Sequence, residues 1–179
     1  TLVAAVAPVA VGTALAYNQH AFALPAALAA LAGALLIQIG TNLTNDVLDF
    51  RRGADTAERL GPTRVTQAGL LSPRAVAIGA VVAFALAFAA GAYLVAVAGW
   101  PIALLGVLAI ASGVAYTAGP APLAYVGLGD LFVLVFFGIA AVGGTYYVQV
   151  MAALDRFSRW QALQAMPQAL VLGVGVGAL

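Results

Sequence analysis

Residues 74–98 read RAVAIGAVVAFALAFAAGAYLVAVA, and this uninterrupted apolar run decides the class of fold. As a helix the run would be about 37 Å long, which is enough to cross the roughly 30 Å hydrocarbon core of a bilayer. Similar runs recur along the 179 residues, which are 64% hydrophobic and 7% charged and have a mean hydropathy of +1.07. A water-soluble domain of this composition would expose large apolar patches, so we expect an integral membrane protein.

Six apolar segments predict an all-α, polytopic membrane helix bundle with about six transmembrane helices. The segments are 1–17, 22–48, 74–98, 101–116, 128–151 and 161–179. The second segment becomes polar at Gln38 and again at Asn42, so its last turns must face protein or water. Residues 49–73 form the longest polar connection, and connections of such length are usually functional. Residues 117–127 form a loop whose glycines and prolines argue against a continuous helix.

The composition excludes several classes of function. The chain has no cysteine, which rules out disulfides, iron–sulfur clusters and thiolate zinc sites. Its net charge of +1 is too small to indicate nucleic-acid binding. The basic residues are concentrated between positions 51 and 74, and the positive-inside rule therefore predicts that the 42–69 segment, the 117–127 loop and the N-terminus are cytoplasmic.

Residues 42–69, NLTNDVLDFRRGADTAERLGPTRVTQAG, contain eight of the charged residues and form the candidate site. The side chains of Asn42, Asn45, Asp46 and Asp49 recur at spacings of three and four and so share faces of a helix. With Asp55 they form an oxygen-only cluster, and hard oxygen ligands select Mg²⁺ or Ca²⁺. We expect Mg²⁺, because this ion commonly bridges a few carboxylates and a substrate phosphate.

Four arginines follow these carboxylates, at Arg51, Arg52, Arg59 and Arg64. Guanidinium groups bind phosphate oxygens in a bidentate manner, so the combination predicts a site for a lipid diphosphate at the membrane mouth. The alternative is a solvated connector held by salt bridges. The site is favoured because the Asn and Asp residues begin inside an apolar helix, where ionisable groups are costly and usually functional.

Two runs in this region resemble the first aspartate-rich motif of the UbiA superfamily of intramembrane prenyltransferases: NDVLDFRRGAD (45–55) and RLGPTRVTQAG (59–69). The GxD ending and the R-x-G-P-x-R sequel are similar to the branch that prenylates 1,4-dihydroxy-2-naphthoate. The run YTAGPAPLAYVGLGD (116–130) resembles the tyrosine–glycine–proline loop of that branch. Gly53 departs from the NDxxDxxxD pattern of other branches, and Asp55 follows two positions later.

This resemblance implies a nine-helix fold with a second aspartate-rich motif after the sixth helix. The chain would then be a single transmembrane domain forming the N-terminal two-thirds of that fold, and we expect it to be unable to catalyse the reaction alone. The implied reaction is Mg²⁺-dependent transfer of a polyprenyl group to the naphthoate with decarboxylation, a step of menaquinone biosynthesis that gives demethylmenaquinone.

The residues and the resemblance together suggest three sets of roles. The metal ligands are Asn45, Asp49 and Asp55. The catalytic set is Asp46, Asp49, Asp55, Tyr116 and Asp130. The substrate-binding set is Asn42, Asn45, Arg51, Arg52, Arg59, Arg64 and Tyr125. The two tyrosines either stabilise an allylic cation or only pack, and Asp130 either orients the acceptor or caps its helix.

Other functions remain open at this point, namely a prenyltransferase for another aromatic acceptor and a noncatalytic transporter or lipid-binding fragment. A transporter would place its charges near the bilayer midplane and show an inverted repeat. Here the charges gather at one mouth instead, and the sequence shows no evident repeat.

The predicted orientation can be tested with cysteine introduced at Ala57 in the otherwise cysteine-free chain. We expect a membrane-impermeant thiol reagent to label this cysteine only from the cytoplasmic face. Because the arginines need an anion to converge, a diphosphate and Mg²⁺ should order the loop and slow the labelling. Labelling from the outer face would contradict the orientation.

Overall fold

The protein is described here by a computed structural model that covers residues 2–52, 64–116, 127 and 129–178. Every regular element in these ranges is a helix, which confirms the all-α prediction. The helices are α1 (Leu2–Asn18), α2 (Leu24–Arg52), α3 (Pro73–Ala98), α4 (Trp100–Ala115), α5 (Gly129–Phe132), α6 (Ala141–Ala153), α7 (Arg156–Leu163) and α8 (Met166–Gly177). A π-helical segment, Val133–Ala140, joins α5 to α6 without a break.

Three helices are long and apolar enough to cross a bilayer, namely Leu24–Arg52, Pro73–Ala98 and the continuous helix Gly129–Ala153. Three further apolar helices, α1, α4 and α8, have 17, 16 and 12 residues. They correspond to the other segments that the sequence predicted as spans. The chain is therefore an integral membrane helix bundle, and in the described ranges three of its six predicted spans have full spanning length.

Two predicted boundaries are wrong. Helix α2 continues to Arg52, so Asp49 and Arg51 lie in the helix and not in the connection. The last predicted span, 161–179, is divided because α7 ends at Leu163 and α8 begins at Met166. The proline of the first turn of α8 has no N–H to donate and has a backbone preset for a helix start, so it favours a new helix over continuation of the old one.

The short helix α7 is defined by its N-cap. The Asp155 carboxylate accepts hydrogen bonds from the backbone N–H groups of Phe157 and Ser158, both at 2.9 Å, and from the Ser158 hydroxyl at 3.1 Å. These hydrogen bonds, with those from Ser158 contributing most, lower the pKa of Asp155 below its ordinary value. Phe157 and Trp160 are both exposed, as expected for aromatic residues near lipid headgroups.

The helices approach one another closely at glycines. The most extensive interfaces join α2 to α3, α8 to the π-helical segment, and α1 to α6. A Cβ added to Gly173 would lie 2.8 Å from the Ile139 Cα, and one added to Gly177 would lie 2.7 Å from the Leu134 Cα. Lipid tails give helices little hydrophobic reason to associate, so backbone contact of this kind supplies much of the packing.

A substitution in α8 tests this packing. Gly173→Ala places a methyl group against the backbone of the π-helical segment, whereas a Cβ at Gly175 meets nothing within 4 Å. We expect Gly173→Ala to destabilise the bundle by about 1–3 kcal/mol, the usual cost of overpacking. The free energy of unfolding in mixed detergent–lipid micelles measures this effect. Gly175→Ala is the matched control, and equal stability of the two variants would contradict the interface.

Candidate functional site

The first component of the site is a short turn held by Asp46. Residues 64–70 form a turn with hydrogen bonds from Ala68 N to Arg64 O, from Gly69 N to Thr66 O and from Leu70 N to Val65 O, and Gly69 has a φ of +70°. Within this turn, the N–H groups of Val65 and Thr66 donate to the Asp46 carboxylate at 3.1 and 3.3 Å. Asp46 therefore caps a turn that lies about twenty residues away in sequence.

The second component is an ion pair. The Arg64 guanidinium (Nη2) lies 3.1 Å from Oδ2 of Asp49, and its Nη1 donates to the Asn42 carbonyl at 3.5 Å. Asp46 and Asp49 are both buried, with exposed fractions of 5% and 8%. Carboxylates in such surroundings require charge or hydrogen-bonding partners, and the turn supplies a guanidinium for one and backbone amides for the other.

The remaining predicted residues of this region have different positions. Asn45 is half-buried on α2, one helical turn before Asp49. Arg51 and Arg52 are exposed in the last turn of α2. Three residues with predicted metal or substrate roles lie outside the described residues, namely Asp55, Arg59 and Tyr125.

The predicted metal set stays a prediction. In the ranges that the structure describes there is no group of three or more His, Cys, Asp or Glu side chains able to hold a metal ion. Asn45 and Asp49 place two oxygen-bearing side chains one helical turn apart, which is the part of the predicted set that the structure describes.

Tyr116 and Asp130 lie at facing helix ends. Tyr116 is half-buried at the C-cap of α4 and lines the cavity described below. A Cβ added to Gly129 would lie 3.2 Å from its hydroxyl, so the end of α4 contacts the start of α5. Asp130 is exposed in the first turn of α5 and does not line the cavity. The structure thus brings Tyr116, but not Asp130, to the cavity wall.

A cavity of about 550 Å³ lies between α1, α2, α3, α4 and the helix from α5 to α6. Its wall is mostly apolar, and polar side chains line it from α2, α4 and α6. These are Gln38, Thr41, Ser112, Tyr116 and Thr145. Three phenylalanines of the fifth span, Phe132, Phe136 and Phe137, line it together with Phe88 of α3. Thr41 lies about two helical turns before Asp49 on α2, so the cavity and the ion pair share one helix.

Apart from Tyr116, which was predicted as a catalytic residue, the wall residues were not assigned from the sequence. Gln38 carried a signal, because it is a polar residue within an apolar run. The three phenylalanines of the fifth span carried none, since this span is apolar on every side and its pattern does not show which side faces inward.

The fold and the site define an integral membrane helix bundle in which buried acids and an arginine lie at the end of one helix beside an apolar cavity. The chain matches the UbiA prenyltransferase family over residues 5–178 and belongs to that family.

Several curated relatives are similar to this chain. A 1,4-dihydroxy-2-naphthoate octaprenyltransferase of Mycobacterium tuberculosis is 43% identical over 152 residues, which cover 84% of this chain and 51% of the relative. The protein of the same name from Mycobacterium leprae is 38% identical over 179 residues, covering 100% of this chain and 56% of the relative. Human UbiA prenyltransferase domain-containing protein 1 is 34% identical over 151 residues, covering 82% of this chain and 44% of the relative.

The chain spans about half the length of the curated relatives it matches. No solved structure matches it. These relationships confirm the family resemblance found in the sequence motifs.

The capping role of Asp46 is tested by limited proteolysis. Asp46→Ala leaves two N–H groups without their acceptor, at a cost of about 1–3 kcal/mol each where they are buried. We expect the 64–70 turn to detach from α2, so that trypsin cleaves after Arg64 at least about tenfold faster, as a loss of 1.4 kcal/mol would produce. Asp130→Ala, at an exposed position, is the control and should leave the cleavage rate unchanged. Equal rates for both variants would show that Asp46 does not hold the turn.

Proposed function

We propose that this chain acts in a Mg²⁺-dependent enzyme that transfers a polyprenyl group from its diphosphate to 1,4-dihydroxy-2-naphthoate. The carrying observation is the Asp49–Arg64 pair, at 3.1 Å, on a turn capped by Asp46 beside an apolar cavity. This arrangement offers polar groups for a diphosphate next to apolar space for a hydrocarbon. The names of the two mycobacterial relatives support the choice of acceptor.

The proposed reaction breaks the bond between the allylic carbon of the prenyl group and the diphosphate oxygen, and the electron pair leaves with the diphosphate. The ring carbon that bears the carboxylate then forms a bond to the allylic carbon. The ring carboxylate departs as CO₂, and its bonding electrons restore aromaticity. The products are diphosphate, CO₂ and the prenylated naphthalenediol, which is the reduced form of demethylmenaquinone.

The residues of this chain fit a role for Mg²⁺. Prenyltransferases of this family generally depend on a divalent metal ion. Mg²⁺ is commonly held by one or two carboxylates together with substrate phosphates, and Asp49 with Asn45 offers such a partial set. We assign Asp55 as the third ligand. When bound, the ion would neutralise charge on the leaving diphosphate.

The arginines of this region act on the same diphosphate in our proposal. Arg64 is held within 3.1 Å of Asp49, so its guanidinium is already located where the anionic head would bind. Three further arginines are close in sequence to the same end of α2, and in our proposal they contact the outer phosphate oxygens. These are Arg51, Arg52 and Arg59. Asp46 acts as a positioning residue, because it fixes the turn that carries Arg64.

The cavity would hold the reacting ends of both substrates away from water. An allylic cation formed there is protected from hydrolysis by the apolar wall, and the ring of Tyr116 presents a π-face that can stabilise positive charge. We further propose that the chain forms one transmembrane domain of the bacterial plasma membrane with the 42–69 segment on the cytoplasmic side. The clustering of five of the seven arginines between positions 51 and 74 supports this orientation.

Substitution of Asp49 tests the function. In the product of the complete gene, we expect Asp49→Asn to lower prenyl transfer by at least about 10³-fold, because the amide loses the charge that binds the metal and pairs with Arg64. Transfer of labelled polyprenyl groups in membranes, with and without Mg²⁺, measures the effect. Asp155→Asn, in the connection before α7, is the matched control and should retain activity. Full activity of Asp49→Asn would refute the metal-binding role, and absence of transfer by the wild-type protein would refute the function.

A further inference from the structure

Gln38 is a buried amide that faces the cavity. It lies in the middle of α2 with an exposed fraction of 8% and forms part of the cavity wall. Its side chain makes no hydrogen bond to any residue that the structure describes. A polar group on a membrane helix that lines a cavity is commonly functional, so the Gln38 amide is a candidate to bind a polar ligand group.

A second buried glutamine shows the contrasting arrangement. Gln149 on α6 is fully buried, and its amide nitrogen donates to Thr13 Oγ1 at 3.0 Å and to the Thr145 carbonyl at 3.4 Å. Its amide oxygen accepts from the Ala23 N–H at 3.4 Å. The bundle thus satisfies the amide of one buried glutamine with its own groups and places the other glutamine on the cavity wall.

The π-helical segment determines which side of the fifth span lines the cavity. Cavity-lining residues of the fifth span recur almost every four positions, as Phe132, Phe136, Ala140, Gly144 and Val148. In an α-helix a step of four residues exceeds a full turn by about 40°, so these five positions would spread progressively around the helix. In a π-helix the hydrogen bonds close at i+5, so each residue rotates less and a step of four residues falls short of a full turn. The π-helical segment therefore offsets the rotation of the α-helical turns and keeps the five positions on one side.

This rotation produces an aromatic wall. The rings of Phe132 and Phe136 are stacked, with centroids 5.6 Å apart and planes 20° from parallel, and Phe137 lines the same cavity. Flat aromatic ligands bind such rings by offset stacking or edge contact. The cavity therefore combines the aromatic residues of the fifth span with a cavity-lining amide on α2.

We propose that Gln38 binds the polar edge of the aromatic acceptor while the acceptor ring packs against Phe132, Phe136 and Phe137. This inference rests on the proposed function and assigns a specificity-determining residue to it. A polyprenyl chain has no group for an amide to bind, whereas 1,4-dihydroxy-2-naphthoate has a hydroxyl and a carboxylate on neighbouring ring carbons. A carboxamide presents one acceptor and two donors, so it can accept from that hydroxyl and donate to that carboxylate.

The neighbouring polar residues agree with this assignment. Thr41, less than one turn further along α2, and Ser112 on α4 also line the cavity, and each carries a hydroxyl that can donate or accept. Gln38 and Asp49 are eleven positions apart on one helix, or about 16 Å along its axis. The acceptor and the diphosphate would thus bind to different turns of the same rigid element.

The experiment compares Gln38→Met with Gln149→Met in the product of the complete gene, because methionine keeps the length and the helix preference of glutamine but removes the amide. With polyprenyl diphosphate saturating, we expect Gln38→Met to raise the KM for 1,4-dihydroxy-2-naphthoate at least about tenfold, the effect of losing a hydrogen bond to a charged group. The KM for polyprenyl diphosphate should stay within about twofold. Gln149→Met should lower thermal stability and leave both KM values unchanged.

Two further measurements keep the outcomes separate. Binding of labelled 1,4-dihydroxy-2-naphthoate without any prenyl donor should weaken in Gln38→Met, and Gln38→Asn should weaken it too if the methionine variant does not fold. Wild-type protein that binds the naphthoate but transfers nothing would refute the proposed function and retain the Gln38 assignment. Active Gln38→Met with unchanged acceptor KM and binding would overturn the assignment and retain the function. Wild-type protein that does neither would overturn both.

Discussion

The hydrogen bonds from Val65 and Thr66 to the Asp46 carboxylate hold the 64–70 turn against α2, and the geometry of the site depends on them. A charged carboxylate within a membrane bundle is tolerated when its charge is hydrogen-bonded or paired. The turn meets this requirement for both acids, since its backbone N–H groups donate to Asp46 and its Arg64 forms an ion pair with Asp49. The contacts that allow the two acids to be buried also position a guanidinium group at the end of α2.

A second constraint comes from the surrounding lipid. Apolar helices gain little by leaving lipid for one another, so contact between backbones at Gly173 and Gly177 and the Tyr146–Ala162 hydrogen bond hold the bundle together. Close packing of this kind is local, and it leaves the centre between α2, α4 and the fifth span open as a cavity. The π-helical segment takes part in both features, because it packs against α8 on one side and lines the cavity with phenylalanines on another.

Helix α2 connects these features to chemistry. Its middle carries Gln38 on the cavity wall, and its C-terminal turns carry the buried carboxylates of Asp46 and Asp49. A single straight helix keeps such groups at a constant separation, which suits a reaction between an anionic leaving group and a flat ring. Membership of the UbiA prenyltransferase family is consistent with this separation between the buried acids of α2 and the apolar cavity.

The sequence alone was sufficient to predict the all-α membrane class, because long apolar segments satisfy their backbone hydrogen bonds in lipid as helices. It was also sufficient to indicate the acids and arginines of residues 42–69 as the candidate site, because charged residues are rare elsewhere in the chain. It could not predict that Asp46 binds backbone amides, because that contact joins residues about twenty positions apart and depends on how a turn docks. Nor could it predict the π-helical segment or the break between α7 and α8. A helix that is apolar on all sides has no pattern that reveals its inward face, so only packing against neighbouring helices decided which phenylalanines line the cavity.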